Sequence, residues 1–174
     1  MNSIKLAVFA AALAGAFAGS LYEVDDAAAW GIRRSAVECH IDGDTSQGRV
    51  LGGRIMNPSD SNSVFLYCPT PEDALVNGAS IKTINVHGYS SSETEKTYAA
   101  VCDQSYADDF FGCSNQVETA PGGGDFALQL GAPVFSQVFP PALEAHFKFV
   151  TIRLARRKAN SQKASTLRGI FYAG

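Results

Sequence analysis

The sequence lacks any apolar run long enough to cross a membrane. Residues 6–18 form its most continuous apolar run, which has the length of a signal-peptide core, whereas a spanning helix needs about 20 residues. This run follows a polar start containing Lys5 and ends in Ala16-Phe17-Ala18, the small-x-small pattern that signal peptidases cleave. We therefore expect residues 1–18 to be a signal peptide, with a cut after Ala16 as the alternative, and residues 19–174 to be one exported domain.

Charge is also scarce. Charged residues make up 18% of the chain, and the formal net charge is −3, which becomes −4 when the peptide carrying Lys5 is removed. Such mild acidity gives no reason to expect a nucleic-acid partner. The mature chain, on the order of 155 residues, suits a single core and leaves little room for a second domain.

Several motifs that carry chemistry are missing. Gly-x-Ser-x-Gly does not occur, and the glycines at 122–124 are not followed by the Lys-Ser/Thr of a phosphate loop. Only Cys39 and His40 are adjacent, so the closely paired ligands of a zinc site are absent. His40, His87 and His146 fall in three separate strand-like runs, and the acidic residues cluster in turns. The sequence thus assembles no catalytic triad or carboxylate pair, and we lean against an enzyme.

Four cysteines, all beyond the predicted signal peptide, indicate two disulfides in an exported protein. Three pairings are possible. Cys102 and Cys113 bracket a polar turn between two strand-like runs, so they are placed to face each other across a hairpin. Cys39 with Cys68 is then the preferred second bridge.

Short apolar or alternating runs, separated by Gly, Pro, Ser and Asn, recur along the mature chain and are typical of strands. They cover residues 30–41, 49–56, 63–68, 80–89, 96–102, 110–117, 126–130, 144–157 and 166–172. We predict an all-β, antiparallel β-sandwich of about eight strands, jelly-roll-like, whose last two runs form a hairpin. An immunoglobulin-like sandwich is the alternative, although Trp30 precedes Cys39 instead of lying between two cysteines. The strand count and closing hairpin resemble those of carbohydrate-binding modules and other jelly-roll domains.

One segment suggests a cation. Asp42, Asp44 and Ser46 match the first three ligand positions of a calcium-binding loop. The match then fails, because Gln47 replaces the turn glycine and Gly53 replaces the closing glutamate. Calcium is the one cofactor that the sequence suggests, and a polar β-turn is the alternative interpretation.

Two polar clusters are candidate binding surfaces. Tyr106, Asp108 and Asp109 lie in the turn between Cys102 and Cys113, where we expect them to be exposed. The other cluster surrounds the predicted closing hairpin and is entirely basic. It suits an anionic polysaccharide or an acidic protein, and a solvated hairpin that protects an edge strand is the alternative. Its members are Arg153, Arg156, Arg157, Lys158, Lys163 and Arg168.

These features favour an exported, non-catalytic protein that binds a glycan or a protein at the cell envelope or outside the cell. The compartment is periplasmic or extracellular, and the sequence does not fix the oligomeric state. A small secreted hydrolase and a structural or assembly protein are the alternatives. A shallow aromatic groove would favour glycan binding, converging His and Asp residues in a deep cleft would favour an enzyme, and a long bare sheet edge would favour assembly. The aromatic candidates for stacking on sugars are Trp30, Tyr67, Tyr89, Tyr98, Tyr106 and Tyr172.

Overall fold

A computed structural model of the protein describes residues 31–42, 48–71, 81–105, 111–131 and 146–174. These residues form twelve strands and one short 3₁₀ helix, Ala36–Glu38. The strands are β1 (Gly31–Ser35), β2 (His40–Ile41), β3 (Arg49–Leu51), β4 (Arg54–Asn57), β5 (Val64–Pro69), β6 (Thr83–Ser90), β7 (Tyr98–Ser105), β8 (Phe111–Cys113), β9 (Val117–Glu118), β10 (Gly124–Gly131), β11 (His146–Leu154) and β12 (Ser165–Ala173).

The strands form two six-stranded antiparallel sheets, which confirms the predicted β-sandwich. Sheet A has the order β10-β6-β12-β4-β3, with β1 beside the second half of β12. Sheet B has the order β2-β5-β11-β7-β8, with β9 beside the start of β7. Alternate residues of both sheets point into one shared core, which explains the period-two pattern of the sequence.

The chain passes from one sheet to the other at almost every step, as in a jelly roll. Strands β4, β6, β10 and β12 lie in sheet A, whereas β5, β7 and β11 lie in sheet B. Short β8 and β9 both pair with β7 and together occupy the eighth position. The predicted number of about eight therefore describes the jelly-roll positions, while β1, β2 and β3 are additional short strands.

The predicted closing hairpin is wrong. Strand β11 lies between β5 and β7 in sheet B, and β12 lies between β6 and β4 in sheet A. Residues 155–164 therefore cross from one sheet to the other at an end of the sandwich. Alternation along a strand shows which side chains face the core, but it does not show which sheet the strand joins.

Three predicted strands are each divided in two. The run at 30–41 forms β1 and β2, with the 3₁₀ helix between them. The run at 49–56 forms β3 and β4 around Gly52 and Gly53, whose φ angles of 57° and 76° suit the two central positions of a tight hairpin turn. The run at 110–117 contains β8 and β9, separated by residues 114–116. A Gly-Gly pair is typical of a tight hairpin turn, but apolar residues on both sides made the whole run resemble one continuous strand.

Both predicted disulfides are confirmed. Cys39 bonds to Cys68 and thereby ties the segment before β2 to β5. Cys102 bonds to Cys113, its direct partner across β7 and β8. Two disulfides are typical of secreted or extracellular proteins. No helix among the described residues is long and apolar enough to span a membrane.

The core joins the two sheets through apolar packing and one buried hydroxyl. Ile84 and Val86 of sheet A meet Val150 and Ile152 of sheet B in a single cluster. Tyr172 of β12 is also fully buried, and its hydroxyl donates a hydrogen bond to the carbonyl of Pro69 in β5 at 3.2 Å. Burial raises the pKa of the Tyr172 hydroxyl, because the ionised form would lose its hydration.

A buried asparagine also connects the sheets. The Asn57 side chain donates to the carbonyls of Asn62, Leu154 and Ala155 at 3.0 to 3.3 Å, and it accepts from the backbone N–H of Ser59. Asn57→Ala would leave buried acceptors unpaired, so we expect it to lower the free energy of unfolding by about 3 kcal/mol. Chemical denaturation checks this, with exposed Asn115→Ala as the control. A loss equal to that of the control would contradict the assigned role.

Candidate functional site

The outer face of sheet B carries a group of aromatic side chains. Strand β5 alternates strictly, so that Val64, Leu66 and Cys68 face the core while Phe65 and Tyr67 face outward with 40% and 37% of their surface exposed. Strands β7, β8 and β11 add further outward rings. We call this set the aromatic row, and its members are Phe65, Tyr67, Tyr98, Phe111 and Phe149.

The register of the sheet brings these rings together. Phe65 and Tyr98 flank the central strand, and their centroids are 6.5 Å apart at an interplanar angle of 68°. Tyr67 lies 5.5 Å from Phe149, and Phe111 lies 6.2 Å from Phe149, with angles of 55° and 34°. Because successive outward residues of a strand are ~7 Å apart, Phe65 continues the row beyond Tyr67. Phe111, Phe149 and Tyr67 thus form a diagonal across β8, β11 and β5. The row then follows β5 to Phe65 and turns back across β11 to Tyr98 on β7.

One end of the row is a mainly apolar depression of about 380 Å³, here called the aromatic pocket. Phe149, with 6% of its surface exposed, forms the floor, and the more exposed Tyr67 and Phe111 stand on either side. Pro69 completes the apolar lining, and His40 and Gln104 supply polar groups. A largely apolar concave surface with a few polar groups is the usual form of a small-molecule site.

The Tyr67 hydroxyl is held at this pocket by an acidic neighbour. It donates a hydrogen bond to the Asp42 carboxylate at 3.3 Å. Partial burial raises the pKa of Tyr67, and the charge and hydrogen bond of Asp42 raise it further. The hydroxyl therefore stays protonated at neutral pH, and the hydrogen bond orients its ring.

The other end of the row opens into a wider and more polar depression of about 1010 Å³, here called the polar depression. Phe65 and Tyr98 form its aromatic side, and Arg153 lies over the Tyr98 ring at 5.7 Å. Charges and hydroxyls surround them, because Glu95, Arg156 and residues 61–63 also line this surface.

Glu95 organises the polar depression. Its Oε1 accepts a hydrogen bond from the Ser63 hydroxyl at 2.6 Å and pairs with Arg153, while its Oε2 accepts from the backbone N–H of Arg156 at 2.9 Å. Burial alone would raise the pKa of Glu95. The hydrogen bonds from Ser63 and Arg156, with the charges of Arg153 and Arg156, outweigh burial and hold the pKa below its ordinary value.

The lowered pKa predicts acid sensitivity. Because native Glu95 releases its proton more readily than unfolded Glu95, its stabilising contribution is complete above about pH 4.3 and disappears as the pH falls through the lower native value. Glu95→Gln should therefore destabilise the protein at pH 7 and reduce the further loss of stability between pH 5 and pH 3. Thermal melts over this range test the prediction, with exposed Glu118→Gln as the matched control. An unchanged acid response in Glu95→Gln would contradict it.

The basic cluster is not a free positive patch. Arg153 and Arg156 face Glu95, Lys158 pairs with Glu93 at 2.5 Å, and Arg168 pairs with Asp125 at 2.6 Å. These acidic partners are distant in sequence, so the sequence alone did not show that the basic side chains are paired. The cluster also lies on interior strands and a crossing segment, which removes its predicted role in protecting an edge strand.

Arg157 and Lys163 have structural contacts of their own. Arg157 donates from Nε to the Pro58 carbonyl at 2.8 Å and pairs with Asp60, so it ties the crossing segment to the loop after β4. The Lys163 ammonium lies 3.5 Å from the centre of the Tyr89 ring in sheet A. These contacts give both residues a role at the end of the sandwich.

Several predicted site residues lie outside the described part of the chain. These are Trp30, Asp44, Ser46, Tyr106, Asp108 and Asp109. Asp42 is described, but the calcium prediction remains a prediction because its proposed partners are not. Within the described ranges, no group of three or more His, Cys, Asp or Glu residues is arranged to hold a metal ion.

His40 and His87 lie on different sheets and do not share a site. His40 is exposed in sheet B and lines the aromatic pocket, whereas His87 is exposed on β6 of sheet A. Tyr89 also belongs to sheet A, and Tyr172 is in the core. Of the tyrosines chosen from sequence as candidates for stacking, the structure brings Tyr67 and Tyr98 into one surface.

The three phenylalanines of the row could not be singled out from the sequence. Phe65 and Phe149 occur in strongly apolar runs, where an inward and an outward ring cannot be distinguished without the register. The chain matches no protein-family model and no curated protein. Its function is therefore inferred from the geometry of this surface.

Proposed function

We propose that this is an exported, disulfide-bonded binding protein that recognises carbohydrate through the outer face of sheet B. The observation that carries this proposal is the aromatic row, in which Tyr67 and Phe111 stand exposed on either side of Phe149. The face of an aromatic ring is electron-rich, and the C–H groups on the flat side of a sugar pack favourably against it.

Polar groups beside the rings support this ligand class. A sugar presents hydroxyls around its edge and C–H groups on its faces, so its site needs both stacking and hydrogen bonds. His40 and Gln104 border the aromatic pocket, while Ser63 and Thr94 border the polar depression. The rings of the row can contact the C–H faces of a sugar, and the polar groups beside them can form hydrogen bonds with its hydroxyls.

The shape of the surface favours a glycan over a folded protein partner. Three of the five rings follow a diagonal, and Thr151 and Arg153 lie among the rings on β11. A stable protein interface instead needs a broad, well-packed apolar centre and on the order of 800 Å² from each partner. A narrow row with polar groups beside it offers better contact to a thin ligand.

Export is part of the proposal. It is supported by the signal-peptide pattern of residues 1–18 and by the two disulfides, which form and persist in oxidising compartments. Expression of the full chain in a secreting host, followed by N-terminal sequencing of the released protein, tests this point. Mature protein beginning at Gly19 is expected, and retention of the uncleaved chain inside the cells would contradict it.

A glycan-array screen of the disulfide-bonded protein tests the proposed activity. We expect saturable binding to one glycan class by the wild type and by Tyr89→Ala, which removes a half-buried ring from sheet A, and a clearly weaker signal for that class in Tyr67→Ala. Silence of the folded wild type over the whole array would overturn the proposal. A parallel array in chelator tests the predicted calcium loop at Asp42.

A further inference from the structure

We infer that the ligand is a single linear glycan chain, bound lengthwise along the aromatic row, with several consecutive sugars in contact. This inference rests on the proposed carbohydrate function and adds the length and the physical form of the ligand. It excludes two other carbohydrate ligands, which are a lone terminal sugar and the flat surface of a crystalline polysaccharide.

The spacing of the rings supports a chain. Phe149 is only 6% exposed, so sugars would cover the rings beside it. Tyr67 and Phe111 lie 5.5 and 6.2 Å from Phe149 on its two sides. Phe65 follows Tyr67 by ~7 Å along β5, and Tyr98 lies 6.5 Å from Phe65. The exposed rings are therefore spread over a distance of several sugars, so that successive sugars of one chain can meet them, whereas a single sugar would leave most of the row uncovered.

The tilt of the rings excludes a flat ligand. The interplanar angles within the row are 34°, 55° and 68°. A planar crystal face could stack on at most one of such differently inclined rings at a time. A free chain can rotate about each glycosidic bond, so each sugar can turn to its own ring.

Small side chains flank the middle of the row. At the level of Tyr67, the outward positions on the next two strands hold Thr151 and Ala100, whereas Arg153 lies one level further on, over the Tyr98 ring in the polar depression. The aromatic pocket and the polar depression are both open depressions that share this face. A chain can therefore enter at one end and leave at the other, which suits an internal segment of a long polymer.

The two ends of the row allow a direct test. Phe111 belongs to the aromatic pocket, and Tyr98 belongs to the polar depression. Titration calorimetry would use the di-, tetra- and hexasaccharides of the linear glycan that gives the strongest array signal, and a pull-down would use the insoluble crystalline form of β-1,4-linked glucan. Wild type, Phe111→Ala, Tyr98→Ala and the control Tyr89→Ala are compared, with thermal melts to verify that each variant is folded.

We expect affinity to rise by roughly tenfold or more from the disaccharide to the hexasaccharide. Phe111→Ala and Tyr98→Ala should each weaken hexasaccharide binding severalfold, because one chain contacts both ends, and their length dependence should be reduced. If Tyr98→Ala is unstable, Phe65→Ala tests the same end. A disaccharide that binds as tightly as the hexasaccharide, or binding confined to the crystalline polymer, would overturn this inference while leaving carbohydrate binding intact. Absence of binding to every glycan would instead overturn the proposed function.

Discussion

Replacing Tyr67 and Phe111 together with alanine should weaken glycan binding by about a hundredfold. The two rings stand on either side of Phe149, and 37% and 59% of their surfaces are exposed in the free protein. A buried aromatic contact at a binding surface contributes about 1–2 kcal/mol, and each 1.4 kcal/mol is a tenfold change in affinity. Titration calorimetry of Tyr67→Ala/Phe111→Ala with the array-selected glycan measures the loss.

This loss should occur without unfolding, since both side chains point away from the shared core. Thermal melts are expected to stay close to those of the wild type. Tyr89→Ala is the matched control, because it removes a half-buried ring of sheet A that contacts Lys163. Wild-type affinity in the double variant, or an equal loss in Tyr89→Ala, would show that the rings of sheet B do not form the site.

The second large effect concerns the disulfides, which we expect to have different roles. The Cys39–Cys68 bridge spans 29 residues and the Cys102–Cys113 bridge spans 11. Loss of loop entropy in the unfolded chain then gives about 3.6 kcal/mol of stabilisation for the first and about 2.8 kcal/mol for the second. Cys39→Ala/Cys68→Ala should therefore lower the free energy of unfolding more than Cys102→Ala/Cys113→Ala does, as measured by urea denaturation.

Glycan affinity should instead fall more in Cys102→Ala/Cys113→Ala than in Cys39→Ala/Cys68→Ala. Strand β8 has three residues, and its last residue is held to β7 by the Cys102–Cys113 bond, while its first is Phe111. Removing this bond frees one side of the aromatic pocket, so binding should weaken by about tenfold under conditions where the variant remains folded. The Cys39–Cys68 bridge lies on the core side of β5, opposite the row, and holds neither Phe111 nor Phe149, so Cys39→Ala/Cys68→Ala should keep most of the wild-type affinity. Equal affinity in both variants would contradict the expectation that the Cys102–Cys113 bridge positions Phe111.

The fold class was predictable because burial leaves a period of two in central strands such as β5 and β6. Strand β5 illustrates this, since Val64, Leu66 and Cys68 are buried and the residues between them are exposed. The pairing of the strands was harder to predict from the sequence. The polar segment between β11 and β12 is compatible with a hairpin or with a crossing between sheets, and only long-range packing selects the crossing.

The candidate site was predictable only in part. Tyr67 and Tyr98 were among the aromatic residues predicted from the sequence as stacking candidates, and a tyrosine, which combines a ring with a polar tip, suits a half-exposed position. Phe111 and Phe149 gave no such signal, because phenylalanine is equally common in a core. The ion pairs of the basic cluster were also inaccessible, since Glu95 is 58 residues from Arg153 in sequence and meets it only across the folded sheet.

Mapping of the bound glycan by NMR tests the central claim most directly, because it locates the ligand without relying on a substitution. Backbone amide shifts of the labelled, disulfide-bonded protein would be followed during titration with the array-selected hexasaccharide. The account predicts that the largest changes cluster on β5, β8 and β11 around Tyr67, Phe111 and Phe149. Changes confined to the outer face of sheet A, or to the basic segment around Arg157, would contradict it.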